Sequence, residues 1–175
     1  DTITLTEDTT LYALWTVGAD NCTVTVDPAP IIMTGQGAGQ EPAVTVKAGN
    51  KTLTKGTDYT VSYSNNNKPG TAKVTVTLKG QYYGTLTAYF HIADFDADAE
   101  PWGVVPPQEG QTATVTLKGY LDGVDVTDDV RWELFGSDYT GVTLSGNTLT
   151  ISSQFTGDRV DFYGWYNNVN TGSFV

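Results

Sequence analysis

The sequence has little of several residues on which common folds and functions depend. It contains one cysteine and one histidine in 175 residues. Cys22 alone cannot form an internal disulfide, so the fold lacks the cross-links that stabilise many small secreted domains. No apolar run approaches the roughly 18 residues of a membrane-spanning helix, and no signal-like segment precedes Asp1. We therefore expect no membrane insertion, and both a cytosolic and a bacterial surface protein fit these properties.

Positive charge is also scarce. Nine basic residues stand against twenty acidic ones, and the net charge of −11 would repel phosphate backbones and anionic membranes. Nucleic acid is therefore not expected as a partner. Leucine, glutamate, arginine and methionine are infrequent, whereas threonine, valine, glycine and tyrosine are abundant, a balance that favours strands and turns over helices. The composition predicts an all-β protein.

Apolar residues alternate with polar ones along most of the chain, which is typical of strands with one buried face. Turn residues separate the alternating segments, and the chain length suits two small domains better than one large domain. The pattern predicts two immunoglobulin-like (Ig-like) β-sandwich domains in tandem. The expected parts are lead-in strands over 1–19, a first domain over 20–93, an acidic linker over 94–100 and a second domain over 101–175.

Three segments resemble known bacterial families. The first strands, DTITLTEDTTLYALWT, are similar to the end of a Listeria-Bacteroides type internalin repeat. The motifs GTDYTVSYSNN, GTAKVTVTLKG and QYYGT resemble an Ig-like module repeated in surface proteins of gut Gram-positive bacteria. The V-x-W element at 130–132 and the element NTLTI at 147–151 resemble a group 2 bacterial Ig-like domain. These resemblances imply spacer or adhesive domains with no catalytic residues to carry over, and they imply a core tryptophan at Trp132.

The acidic run between the two predicted domains is the best metal candidate. Asp94, Asp96, Asp98 and Glu100 alternate, so in an extended chain their carboxylates would lie on one side. Hard oxygen ligands of this kind suit calcium, the one cofactor that the sequence suggests. A solvated linker, or the first strand of the second domain, explains the run as well, and the linker is the preferred interpretation. A second acidic group surrounds the turn from Asp122 to Asp129.

An aromatic pair near the C-terminus is the best ligand candidate. If Phe162 and Tyr166 face the core, Tyr163 and Trp165 lie on the opposite face of the same strand. Exposed aromatic rings can stack on sugar rings, with Asn167 as a hydrogen-bonding neighbour. Docking of a neighbouring domain, or ordinary packing beside Trp102 and Tyr120, is the preferred alternative.

Residues for catalysis are few. His91 lies between inward-pointing neighbours, so it is expected at the surface, and no serine or cysteine near it forms a nucleophile motif. Cys22 shares its side of a strand with Val24 and Val26, which favours a buried, inert thiol. We therefore expect no catalytic site and no enzyme activity. A self-formed Lys-Asn isopeptide bond stays open, although no recognisable motif for one is present.

The sequence thus predicts a monomeric piece of a larger bacterial protein, extracellular and either attached to the cell surface or secreted. Its expected role is that of a non-catalytic spacer or adhesion stalk, whose partners would be glycans or proteins on host or bacterial surfaces. Two alternatives remain at this point. The chain could be a carbohydrate-binding accessory module that uses Tyr163 and Trp165, or an ancillary part of a secreted hydrolase.

Overall fold

The structure is a computed structural model that describes residues 15–105, 107–136 and 139–175. The predicted resemblance to an internalin repeat falls on residues 1–16, nearly all of which lie outside the described residues. Strand β1 follows directly, at Val17–Gly18.

The described chain is built almost entirely of strands. Its helical content is limited to two three-residue 3₁₀ helices, Ala19–Asn21 and Thr127–Asp129. The predicted all-β fold class is therefore confirmed. After β1 the strands are β2 Cys22–Val26, β3 Ile31–Met33, β4 Val44–Ala48, β5 Lys51–Thr52, β6 Tyr59–Ser64, β7 Gly70–Leu78, β8 Tyr82–Tyr83, β9 Thr85–Glu100, β10 Thr112–Leu121, β11 Val124–Asp125, β12 Arg131–Leu134, β13 Val142–Ser145, β14 Thr148–Ser152, β15 Asp161–Tyr166 and β16 Val169–Phe174.

The chain divides into two compact units that are not contiguous in sequence. The first unit takes residues 15–27, 42–63 and 73–89 of the described chain, and the second takes 28–41, 64–72 and 90–175. Residues 28–41 and 64–72, which the sequence places in the first domain, thus belong with the second unit. Short-range alternation identifies strands, but it carries no information about which distant strands pair.

The first unit contains the antiparallel sheet β2-β4-β5 and the short parallel pair β1-β8. Alternation along β7 buries Val74, Val76 and Leu78 and leaves Thr77 exposed. The module resemblance is carried by residues 56–66 and 70–85, which contain β6, β7 and β8. These motifs therefore encode strands and turns.

The second unit is a sandwich of two sheets. One sheet has the order β13-β14-β10-β9, with β11 paired to β10 and β3 paired in parallel to β9; the other has the order β12-β15-β16. Both sheets supply the core between them, because Val115, Leu117 and Leu149 come from the first and Phe162 from the second. Trp132 packs on this core with its ring edge-on to Phe162, at 6.0 Å between ring centroids. The predicted β-sandwich is thus confirmed for this unit, and Trp132 packs against its core.

Strand β9 exchanges its buried face partway along its length. Phe90 and Ile92 point to a small cluster that contains Met33 and Ala72, whereas Ala99 points to the main core from the opposite face. The exchange falls where Ile92 and Ala93 are buried in succession.

The acidic run 94–100 is therefore not the linker that the sequence predicts. It is the second half of β9 and pairs with β10, from Phe95 opposite Leu121 to Glu100 opposite Thr116. Its odd-numbered residues are apolar and face the core side, and Phe95 is fully buried. The linker interpretation failed because the exchange of faces interrupts the alternation, which makes a continuous strand look like a boundary.

Replacing Phe95 with alanine tests this arrangement. Phe95 is fully buried and its ring lies 5.5 Å from that of Tyr166. Removal of a buried phenylalanine ring leaves a cavity, so Phe95→Ala is expected to lower the free energy of unfolding by about 3–5 kcal/mol in urea titrations. Tyr89→Ala, in the same strand but 64% exposed, is the control and should change the stability by less than about 0.5 kcal/mol. A small effect of Phe95→Ala would contradict a strand at this position.

Candidate functional site

The outer face of the sheet β12-β15-β16 collects most of the exposed aromatic side chains of the second unit. The register places Glu133 opposite Tyr163 and Tyr163 opposite Gly172, so that three strands supply three rows of outward-facing residues. We call this surface the aromatic face. From β12 it takes Arg131 and Glu133, together with Phe135, which directly follows that strand. It also takes Asp161, Tyr163 and Trp165 from β15, and Asn170, Gly172 and Phe174 from β16.

The register of this sheet depends on a two-residue turn. Asn167 and Asn168 connect β15 to β16 and have φ angles of 46° and 64°. Two successive left-handed residues form a type I′ turn, whose twist matches that of the flanking strands, and asparagine tolerates this conformation better than most residues. The turn pairs Tyr166 with Val169 and therefore places Gly172 beside Tyr163.

Trp165 is held by its neighbours on β12. Its indole Nε1 donates a hydrogen bond to Glu133 Oε2 at 2.7 Å, and the Arg131 guanidinium lies over its ring at 5.1 Å from the centroid. Arg131 in turn donates to Glu133 Oε1. One face of the indole is thus covered by a cation from the same molecule, and the ring is fixed in place.

Tyr163 forms the centre of the aromatic face. Phe135 meets it edge to face, with 5.2 Å between ring centroids and an angle of 86° between the rings, a favourable aromatic geometry. The Tyr163 ring leans over Gly172, because a Cβ placed on that glycine would lie 2.8 Å from Tyr163 Cε1. The glycine leaves room for the ring and lowers the surface next to it.

A shallow groove of about 210 Å³ runs beside Tyr163. Arg159 lies at one end, with its guanidinium 5.6 Å from the centre of the Phe174 ring and its Nε donating to Asp161 Oδ2 at 3.2 Å. The Tyr139 hydroxyl also donates to that oxygen, at 3.3 Å. The lining residues are Phe135, Arg159, Asp161, Phe162, Tyr163, Gly172, Ser173 and Phe174.

The structure brings two of the three predicted ligand residues together. Tyr163 and Trp165 lie on the same face, opposite the buried Phe162, as the alternation predicts. Asn167 is a turn residue whose left-handed backbone accounts for its presence without a ligand. The suggested packing partners lie elsewhere, since Trp102 is 69% exposed and Tyr120 belongs to the other sheet.

Sequence reasoning missed most of the face. Phe135 and Phe174, which are 55% and 45% exposed, contribute more open aromatic surface than Trp165 does. The Asn167-Asn168 pair could have revealed Phe174. If the pair is recognised as a two-residue hairpin turn, the register of the two flanking strands follows, and Asp161 lies opposite Phe174. Both arginines of the chain, Arg131 and Arg159, lie beside rings of this surface.

The turn can be tested by substituting Asn168. Alanine disfavours the left-handed backbone, so Asn168→Ala is expected to lower the free energy of unfolding by about 1 kcal/mol. Asn168→Gly removes the Cβ that causes the strain and should leave stability equal or higher. Urea unfolding of the two variants measures this, and equal stabilities would contradict the type I′ turn.

The acidic row on β9 has its carboxylates on one side of the strand, as predicted. Asp96 and Asp98 are exposed on the face away from Phe95 and Ala99. Alternate residues of a strand are about 6.6 Å apart, so one ion could reach two neighbouring carboxylates at most, whereas calcium takes six to eight oxygens. Within the ranges that the structure describes, no three His, Cys, Asp or Glu side chains converge on a metal position. Calcium binding by Asp94, Asp96, Asp98 and Glu100 stays a prediction that this geometry does not favour.

Asp96 lies between the like charges of Asp94 and Asp98 and is partly desolvated. Partial burial raises the pKa of its carboxyl, and the like charges of Asp94 and Asp98 raise it further. Asp98 is directly opposite Lys118 on β10, whereas Asp96 is opposite Tyr120 and has no cation across the strand. The ionised form of Asp96 therefore destabilises the fold.

Asp96→Asn is expected to raise the unfolding midpoint at pH 7. A pKa that is raised in the folded state means that stability is lost as the pH rises and the group ionises, so wild type and Asp96→Asn should converge near about pH 3. Asp125→Asn is the matched control, for which the opposite change in the unfolding midpoint is expected. Thr127 and then Lys118 lower the pKa of Asp125, so this variant should be less stable than wild type at pH 7 and approach it in acid. Thermal melts across this pH range measure both differences, and a lower midpoint of Asp96→Asn at pH 7 would contradict the repulsion.

His91 lies at the surface, as predicted, and is paired with a turn residue. Its Nε2 lies 2.7 Å from Asp122 Oδ2, while Asp122 Oδ1 accepts the backbone N–H of Asp94 at 2.9 Å. The Asp94 N–H and then His91 lower the pKa of the Asp122 carboxyl. The carboxylate thus fastens the β10–β11 turn to β9. Its two oxygens are engaged by protein donors, which leaves them poorly placed to bind calcium.

Cys22 and Trp132 have buried polar atoms. Cys22 is 9% exposed and its thiol points to the Gly18 carbonyl at 3.6 Å; burial, and then the charge of Asp20, raise the pKa of the thiol and favour the protonated form. The predicted buried thiol is confirmed. The Trp132 indole Nε1 is buried without a hydrogen-bond partner among the described residues, beside a cleft of about 450 Å³ that also contacts Asp128 and Asn147.

Comparison with known proteins gives no family assignment. No protein-family model matches the chain. No curated protein matches it either. Among solved structures the chain is similar to "Drosophila OTK, extracellular domains 3-5", with 12% sequence identity and a TM-score of 0.32. The match covers 87% of this chain and 60% of that one, so the chain spans less than two thirds of that structure. A superposition of this quality carries no inference about function.

No helix among the described residues has the length and apolarity to cross a membrane.

Proposed function

We propose that this chain is a non-catalytic spacer and adhesion unit of an extracellular, multidomain bacterial protein, and that it contacts its partner through the aromatic face. The observation that supports the proposal most directly is the concentration of Phe135, Tyr163, Trp165 and Phe174 on one solvent-facing sheet surface. A sheet that packs on a core with one face usually presents polar residues on the other. Large aromatic side chains there indicate a contact surface.

The opposite sheet of the same unit provides an internal comparison. Its outward positions on β10, β13 and β14 are mostly threonine and serine, paired across strands as Thr114 with Thr150 and Thr116 with Thr148. Such pairs stabilise a sheet and leave its surface polar. The sandwich therefore has one polar outer face and one aromatic outer face. Because only one of the two faces is aromatic, the aromatic side chains reflect a contact surface and not the general composition of the protein surface.

The sequence resemblances and the charge support the spacer role and the bacterial origin. The motifs at 56–66 and 70–85 resemble modules of bacterial surface proteins, and they lie in strands and turns. A net charge of −11 keeps neighbouring copies of such a module apart and soluble. The basic and acidic side chains of the aromatic face are paired with one another, as Arg131 with Glu133 and Arg159 with Asp161, so this charge does not concentrate at the proposed contact surface.

The adhesion part can be tested by binding of fluorescently labelled protein to purified Gram-positive cell walls and to immobilised mucin. The double variant Phe135→Ser/Phe174→Ser removes the two most exposed rings of the face, and its binding is expected to fall at least about tenfold, because buried aromatic contacts dominate such interfaces.

Trp102→Ser is the matched control, since it removes a more exposed aromatic side chain from outside the face. It should bind as wild type does. Equal losses in the control and the double variant would indicate nonspecific adsorption, and undiminished binding of the double variant would exclude the aromatic face as the contact surface.

A further inference from the structure

We infer that the groove beside Tyr163 binds a single ring of an uncharged glycan, a neutral hexopyranose. This inference rests on the proposed function, because it names the ligand class for the same aromatic face. It is carried by the size of the groove, the chemistry of its lining, its charge and the area of the face.

The size of the groove selects a small ligand. Its volume of about 210 Å³ is below the range of about 300–1,000 Å³ that is usual for drug-sized ligands. One sugar ring is of this scale, whereas a nucleotide or a folded peptide side-chain cluster is not. Because the groove is open to solvent, the rest of a glycan chain could continue over the adjoining surface.

The lining combines apolar rings with hydrogen-bonding groups. Phe135, Tyr163 and Phe174 offer aromatic surface to the C–H face of a pyranose, and Gly172 lowers the floor between them. At one end, Asp161 accepts from Tyr139 and Arg159 on the same oxygen, Oδ2, and its carboxylate can also accept a sugar hydroxyl. Arg159 binds Asp161 through Nε, and the guanidinium has further N–H donors on its terminal nitrogens.

The charge of the site favours a neutral ligand. Two arginines and two acidic side chains form two ion pairs at this face, while the molecule as a whole carries −11. An anionic sugar would be repelled by the overall charge. A cationic ligand would meet the two arginines, and both carboxylates of the face are already paired with them. An uncharged ligand meets neither obstacle.

The area of the face disfavours a protein partner. Three neighbouring strands are about 10 Å apart from first to last, and three outward residues along a strand span about 14 Å, so with side chains the face covers about 200–300 Å². A stable protein interface takes about 800 Å² from each partner. The contact area of a glycan is no larger than the area of this face.

Filling the groove tests the inference without removing any aromatic ring or charge. Gly172→Val places a side chain where Tyr163 now leans, which pushes the tyrosine into the groove. Valine favours strands, and position 172 is exposed in β16 and has no left-handed backbone, so the variant is expected to fold. Thr143→Val is the control, because it places the same valine side chain at an exposed strand position of the opposite sheet, away from the aromatic face.

The experiment uses a printed array of neutral, sialylated and uronic-acid glycans, followed by calorimetric titration with the best saccharide from the array. We expect binding to neutral saccharides that weakens at least tenfold in Gly172→Val, stays within twofold of wild type in Thr143→Val, and persists in 0.5 M salt. Thermal melting of each variant confirms that it is folded.

Binding only to acidic glycans, or equal binding by Gly172→Val, would overturn the inference. If the array shows no binding while the labelled protein still binds cell walls or mucin through the aromatic face, the partner is not a neutral glycan and the proposed adhesion stands. If binding to surfaces is also absent, both proposals fail.

Discussion

Strand β9 has to bury opposite faces in its two halves. Ile92 belongs to one apolar cluster and Ala99 to another, and the two clusters contact the strand from different sides. Because side chains of a strand alternate strictly, the change requires two successive buried residues, Ile92 and Ala93. β3 pairs with β9 at this point, from Ile31 opposite Ile92 to Met33 opposite Asp94, and β10 pairs with it immediately afterwards. A shift of one residue here would turn Phe95 to solvent and the acidic row into the core.

The same exchange explains the acidic row. At Phe90 and Ile92 the even-numbered side chains of β9 pack in an apolar cluster, and at Asp96 and Asp98 the same face is open to solvent. Aspartates at 94, 96 and 98 are tolerated there because the odd-numbered residues take over the burial. The charges keep that part of the sheet surface soluble, while partial burial, and then the repulsion among them, raise the pKa of Asp96. The row is thus explained by the strand that carries it, without a metal ion.

The aromatic face depends on a register that is set elsewhere. The Asn167-Asn168 turn aligns β16 with β15, and only in that alignment does Gly172 lie beside Tyr163 and leave space for its ring. Pairing with β12 then brings Glu133 to Trp165 and Phe135 to Tyr163. Trp165 and Tyr163 are held by side chains from β12 and the residue that follows it, so this part of the face is preorganised. Rigid sheet positions of this kind can present a binding surface with little loss of conformational entropy.

The sequence by itself determined the all-β class, the positions of most strands, the burial of Cys22, and the shared outward direction of Tyr163 and Trp165. These are local properties, since alternation and turn residues act over a few positions. Only the tertiary structure decided that 94–100 is a strand, that 28–41 and 64–72 belong with the second unit, and that Phe135, Gly172, Phe174 and Arg131 complete the aromatic face. Strand pairing joins residues far apart in the chain, so the neighbours of Tyr163 follow from register, and no pattern in the flanking residues encodes them.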